Sequence, residues 1–198
     1  DCVVQTNDAP LGGGMMAEHS NVSLSSMTYT SNTATHGGAL HAAATEVRVH
    51  DSDFESNMAY MEGGGVLLAT VTGHFRDSRF TRNRAEEDAL QYNPLISTAP
   101  AGFGGAMSMR GGRPTVSTCS FVGNAAGQAG GAIHAHDGCA GTVTDAHVSE
   151  NGALYGGGVW ACSSSLNVVD SRFDSNWGDK NGGGVHVERD SSVLERLT

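Results

Sequence analysis

Apolar and polar residues alternate over short runs along this chain, as in Glu46-Val47-Arg48-Val49 and Leu166-Asn167-Val168. Alternation with a period of two is the mark of a strand with one buried face. The runs are bounded by Gly, Asn, Asp and Ser, which supply turns. No stretch carries the three-to-four spacing of an amphipathic helix. The pattern predicts many short strands and an all-β chain.

The strands recur in phase. Glycine pairs begin at residues 12, 37, 63, 104, 130, 156 and 182, in steps of 25, 26, 41, 26, 26 and 26. A second mark, an aromatic or aliphatic residue three positions before an asparagine, falls at Tyr29/Asn32, Phe54/Asn57, Phe80/Asn83, Phe121/Asn124, Val148/Asn151 and Phe173/Asn176. The first glycine precedes this apolar residue by 17 positions in five units and by 18 in the other. A fixed period in the mid-twenties, built from strands with small residues at the corners, describes one coil of a parallel β-helix. Successive coils then lie about 4.8 Å apart, and equivalent residues stack in columns.

Read down the columns, the sequence separates an inside from an outside. Met15, Leu40, Val66, Met107, Ile133, Val159 and Val185 form an aliphatic inward stack, and so do the residues two positions on. Met27, Ser52, Ser78, Cys119, Ala146 and Ser171 form a mostly small column where the coil is narrow. Asn7, Asn32, Asn57, Asn83, Asn124, Asn151 and Asn176 are expected to form a ladder at a bend, each amide bonding the next. Buried amides are tolerated when they satisfy one another. The doubled glycines fit a corner that needs positive φ or close backbone approach.

Two departures stand out. Asn83 is followed by the next glycine pair only after 21 residues, against 5 or 6 elsewhere, so residues 84–103 read as an inserted loop. A loop on a rigid scaffold is where function often sits. At the ends, Cys2, Val4 and Asn7 occupy the columns of a preceding coil, and the next apolar mark would fall just past Thr198. Residues 1–198 are therefore expected to be one segment of a longer β-helix, cut mid-coil at both ends, with further coils of the same protein as its neighbours.

Charge and composition narrow the partners. A net charge of −10 argues against nucleic acid and anionic membrane surfaces. No apolar run approaches a membrane span. Of the four cysteines, Cys2 and Cys119 are expected to be buried thiols, and Cys139 and Cys162, on adjacent coils, are candidates for a disulfide. Asn21-Val22-Ser23 is a glycosylation sequon, which agrees with an extracellular or cell-surface location.

Candidate chemistry lies on the outward columns. His134, His136, Trp160, Cys162, His186 and Glu188 gather into one patch over three coils. His-x-His on a strand presents both rings on one face; such a set offers ligands to zinc, and Trp160 offers a ring to a sugar. The bland alternative is a mixed exposed or interface surface. Asp51, Asp77, Asp145 and Asp170 stack in another column, which suits either calcium or plain turn chemistry. Asp145, Asp170, His147 and Arg172 make the best cluster for a polysaccharide lyase, hydrolase or epimerase.

Gly-Gly-Ala-Ile at 130–133, Gly-Gly-Ala-Leu at 37–40 and Gly-Gly-Ala-Met at 104–107 are paired with Phe-x-x-Asn at 54–57, 80–83, 121–124 and 173–176. These motifs resemble the repeats of chlamydial polymorphic outer-membrane proteins, of the pectin-lyase-like superfamily. The resemblance implies a right-handed β-helix that acts in adhesion. The expectation is a non-catalytic, structural or adhesive segment of a surface or assembly protein, with a protein or glycan partner and no required cofactor. A pectin-lyase-like enzyme and a structural subunit of a large complex are the alternatives.

Overall fold

A computed structural model describes residues 2–86, 102–189 and 192–198. Among them every regular element is a strand. Each coil contributes four strands, and the strands stack into four parallel seven-stranded sheets. One coil shows the plan: Met27–Thr30 in the first sheet, Thr33–His36 in the second, Leu40–Ala43 in the third and Glu46–His50 in the fourth. The register keeps the repeat marks in column, with Tyr29 beside Phe54, Phe54 beside Phe80 and Phe80 beside Phe121. The chain is a parallel β-solenoid of about seven coils.

The corners explain why so short a coil closes. In each described coil the backbone turns through the left-handed region, as at Ser31 (φ 55), Gly37 (φ 65), Ala44 (φ 46) and Asp51 (φ 48). Such a conformation is unfavourable for residues other than glycine, by roughly 1–2 kcal/mol. Hydrogen bonds between coils hold it in place: the Ser31 N–H donates to the Glu55 carbonyl at 3.1 Å and the Asp51 N–H to the Arg76 carbonyl at 3.2 Å. The corner between the second and third sheets demands glycine outright. A Cβ on Gly37 would lie 2.4 Å from the Leu40 carbonyl oxygen, and one on Gly38 would lie 2.1 Å from that of Gly64. The stacked aspartates 51, 77, 145 and 170 all sit at the corner between the fourth and first sheets with φ near 50. Turn chemistry therefore accounts for that column.

The interior is a set of vertical stacks. The rings of Tyr29, Phe54, Phe80 and Phe121 lie 5.1, 4.8 and 4.8 Å apart and within 8° of parallel. Beside them Asn57 Nδ2 donates to Asn83 Oδ1 at 3.0 Å and to the Tyr29 carbonyl at 2.9 Å, and the Asn57 N–H also reaches Asn83 Oδ1. The same contacts link Asn83 to Asn124 across 41 residues of chain. The small column carries a second ladder. The Ser52 hydroxyl donates to the His50 carbonyl and accepts the Met27 N–H, Ser78 does the same one coil on, and the Cys119 thiol donates to the Ser117 carbonyl.

The inserted stretch is narrower than 84–103. Arg84–Ala85 pairs with strands on both sides, and Phe103 bridges Glu62 and Ala129. The remainder, residues 87–101, lies outside the described residues.

The cysteines correct two expectations. Cys139 and Cys162 form no disulfide. Cys139 is buried in the core beside Gly141, whereas Cys162 stands on the outward face of the third sheet, near the Ser163 hydroxyl at 3.9 Å. The wall of the solenoid separates them. Cys119 is buried as expected, and burial pushes its thiol up to about 11. Cys2, on the first described strand, is exposed.

Candidate functional site

The second and third sheets meet at the glycine corner, so side chains leaving their outer faces converge. From the second sheet come His36, Glu62, Phe103 and Tyr155, each immediately before a glycine pair and in register with one another. From the third come His41, Ser108, His134 and Trp160. The convergence buries what the alternation marks as outward. His41 is 7% exposed, His134 4% and Ser108 0%. The patch expected to be open is, at its centre, a second interior.

Rings fill it. His134 stacks on His136 at 4.2 Å, on Trp160 at 4.8 Å and on Phe103 at 5.1 Å. Trp160 continues to Tyr155 at 6.3 Å and His186 at 6.5 Å. The Lys180 ammonium lies 5.4 Å from the centre of the Tyr155 ring, within cation–π range. His134 and His136 lie within 8° of parallel, ring stacked on ring. Zinc needs a converging set; among the described residues no three His, Cys, Asp or Glu side chains are placed to hold a metal ion. Trp160 turns its faces to His134 and His186, so the sugar platform expected there is taken up by neighbouring coils.

One carboxylate, Glu62, sits among imidazoles and the Arg110 guanidinium. Burial works to raise the Glu62 carboxyl, but His136, Arg110 and His36 outweigh it and hold it below its ordinary value. His136 Nε2 lies 3.7 Å from Glu62 Oε2, an ion-pair distance longer than a hydrogen bond. Burial pushes His36, His41 and, furthest, His134 below the ordinary histidine value. Several buried polar atoms here have no hydrogen-bond partner: the Nδ1 atoms of His36, His41 and His134, Glu62 Oε2 and Trp160 Nε1. His136 also sits 3.5 Å from the Ser108 hydroxyl and 3.2 Å from Asp137. That is the order nucleophile, base, orienting acid, but Ser108 is sealed from solvent.

The remaining patch residues lie toward the last coil. Cys162 and His186 flank Trp160, and Glu188 faces Arg189 at 3.7 Å. The enzyme-type cluster does come together: Asp145, His147, Asp170 and Arg172 line a shallow depression of about 540 Å³ with Arg196. Asp170, Arg172 and Arg196 are already committed to partners. Arg196 grips Asp170 in a bidentate pair, Arg172 reaches Asp174 at 3.0 Å, and these partners hold both carboxyls below their ordinary value. A general acid requires a shift the other way. Asn21 of the sequon is exposed at the start of its strand.

His36, Glu62, Arg110, Phe103 and Tyr155 escaped sequence reasoning. Four of them share one signal, the position just before a glycine pair.

A solenoid of parallel coils with an asparagine ladder, stacked rings and glycine corners defines the class of this protein. A family description, right-handed β-helix region, matches residues 16–196, and the chain belongs to that family. No curated protein and no solved structure matches it. Among the described residues no helix is long and apolar enough to cross a membrane.

Proposed function

We propose that this chain is a non-catalytic segment of a surface or assembly protein: a rigid rod that presents its outer faces to a protein or glycan partner. The observation that carries this reading is the commitment of the outward charges to one another. Arg79 clamps Asp53 of the coil before it at 2.7 and 2.9 Å, Arg82 pairs with Glu55, and Arg196 with Asp170. These side chains staple coils rather than await a substrate. The likeness of the repeats to those of chlamydial polymorphic outer-membrane proteins supports an adhesive role. With the exposed sequon, it also supports an extracellular location.

Incubation with pectate, alginate, xylan and chondroitin, followed by assays for new reducing ends and unsaturated products, tests the reading. No product is expected from the wild type. Product formation that disappears in both Asp170→Asn and His147→Ala would establish the pectin-lyase-like alternative instead.

A further inference from the structure

The outer face of the fourth sheet gathers basic side chains on an otherwise acidic chain. Ser23, Arg48, His74 and Thr115 stand in register across four coils, and Ser25, His50, Arg76 and Ser117 stand in register two residues further along. Arginine and histidine thus alternate as a square, with Arg48 beside His74 and His50 beside Arg76. The two strands that carry it, Glu46–His50 and Thr72–Arg76, are each paired on both sides, so neighbouring coils frame the square. All four of its side chains are exposed. Two carboxylates touch them: Glu46 pairs with Arg48, and Asp77 lies 3.1 Å from Arg76 Nε and 3.5 Å from His50 Nε2. The square and the flanking hydroxyls line a depression of about 460 Å³.

His74 is held in place. Its Nδ1 lies 2.8 Å from Thr115 Oγ1, and the Thr115 hydroxyl donates to the Gly73 carbonyl at 3.3 Å. With that hydrogen spent, Nδ1 carries the proton and donates to Thr115, which leaves Nε2 to accept a bond from a ligand.

We propose that this face binds a sulfated polysaccharide, with sulfate groups on Arg48 and Arg76 and sugar hydroxyls on His74 and the serine and threonine hydroxyls. Strand rise and coil spacing set the two arginines about 8 Å apart along the diagonal of the square. They therefore engage sulfates at separate positions of an extended chain. A guanidinium has five N–H donors, and Glu46 and Asp77 use only some of them. A sulfate brings three acceptor oxygens, so it bridges a guanidinium to a neighbouring hydroxyl. A lone carboxylate would only exchange places with Glu46 or Asp77. No Phe, Tyr or Trp stands on the outer face of these four strands, so a nucleic-acid base has no ring to stack on. The strands of the square have no free edge, which removes strand addition by a peptide. Charges are screened over about 8 Å at physiological salt. A bound chain thus responds to the square more than to the net charge of −10. This inference names a partner class for the rod proposed above and rests on that reading.

Isothermal titration calorimetry in physiological salt with a heparin octasaccharide and a dermatan sulfate octasaccharide tests it. Hexagalacturonate, an unsulfated chondroitin octasaccharide and oligothymidylate serve for comparison. At least one sulfated chain is expected to bind, and the three others to bind more weakly or not at all. Arg48→Ala/Arg76→Ala should weaken binding about tenfold or more, since two ion pairs are lost. Arg48→Lys/Arg76→Lys should weaken it less, because the charge stays and only the planar fork is lost. Arg79→Ala/Arg82→Ala removes the same charge from another face and should bind as the wild type does. Circular dichroism should show all three variants folded. Failure of both sulfated chains to bind at millimolar concentration would overturn the site. So would equal loss in the two alanine pairs, or binding of hexagalacturonate or oligothymidylate as tight as that of the sulfated chains. Cleavage of a bound chain would leave the site standing and sink the non-catalytic reading.

Discussion

The protein contains two stacks of rings, one inside the solenoid and one in the outer corner, and they obey different rules. Inside, Tyr29, Phe54, Phe80 and Phe121 stack at 4.8 to 5.1 Å beside an asparagine ladder in which the amides satisfy one another. In the corner, His134, Trp160 and Phe103 stack at similar distances, yet the imidazole and indole nitrogens at the centre lack partners. Coil geometry sets the spacing in both. What differs is polar satisfaction, which makes the first stack structural and the second one costly.

The largest effect that would test this contrast is in the ladder. Asn83 donates to the Phe54 carbonyl at 2.8 Å and to Asn124 Oδ1 at 3.0 Å, while its own Oδ1 accepts two bonds from Asn57. Asn83→Ala strands several buried groups at once. Each costs roughly 1–3 kcal/mol, so a loss of about 4 kcal/mol or more is expected in urea unfolding. Asn83→Asp should be almost as damaging, because a carboxylate cannot donate to Phe54. A loss below about 1 kcal/mol would show that the ladder is incidental to the stability assigned to it.

The corner should respond in the opposite sense. His134→Phe keeps a flat ring against Phe103 and Trp160 and removes the unpartnered Nδ1. A gain of about 1–2 kcal/mol is expected at neutral pH. The pH dependence follows from the same residues. Burial lowers His36, His41 and His134 in the folded state from the ordinary value of 6.5. Below pH 6.5 the unfolded chain therefore binds more protons, and stability falls as pH drops from 6.5 toward the folded values. Glu62, also held low, adds a loss at more acid pH: its contribution is present above its ordinary value of 4.5 and disappears as pH falls through the lower folded value. Thermal unfolding followed between pH 7.5 and 4 should show a steep acid limb in the wild type and a shallower one in His134→Phe. Equal slopes would remove His134 from the account.

The two stacks were also unequally legible. Phe80, Asn83 and Gly104 could be read from the chain because each answers a backbone demand that recurs once per coil. The corner could not. His36, Glu62 and Tyr155 occupy a column where the register slips by a residue, between Ala59 and Glu62 and again between Ala153 and Tyr155. Column counting loses phase there. Alternation marked His134 as outward, which it is, but alternation within one strand says nothing about a second sheet folding over the first.

The smallest effect sharpens the comparison from the outside. Arg79 and Asp53 also join adjacent coils, through a bidentate pair at 2.7 and 2.9 Å as short as any bond in the ladder. Distance alone would rank the two connections together. Both ion-pair partners are open to water, however, so their Coulomb attraction is screened and their ordering costs side-chain entropy. Arg79→Ala should cost no more than about 1 kcal/mol, and less at high salt. A double-mutant cycle with Asp53→Ala isolates the pair. A coupling as large as the Asn83 loss would mean that the outer charges carry the solenoid's stability. A small one leaves them as surface stapling, with the inner ladder as the element that holds coil to coil.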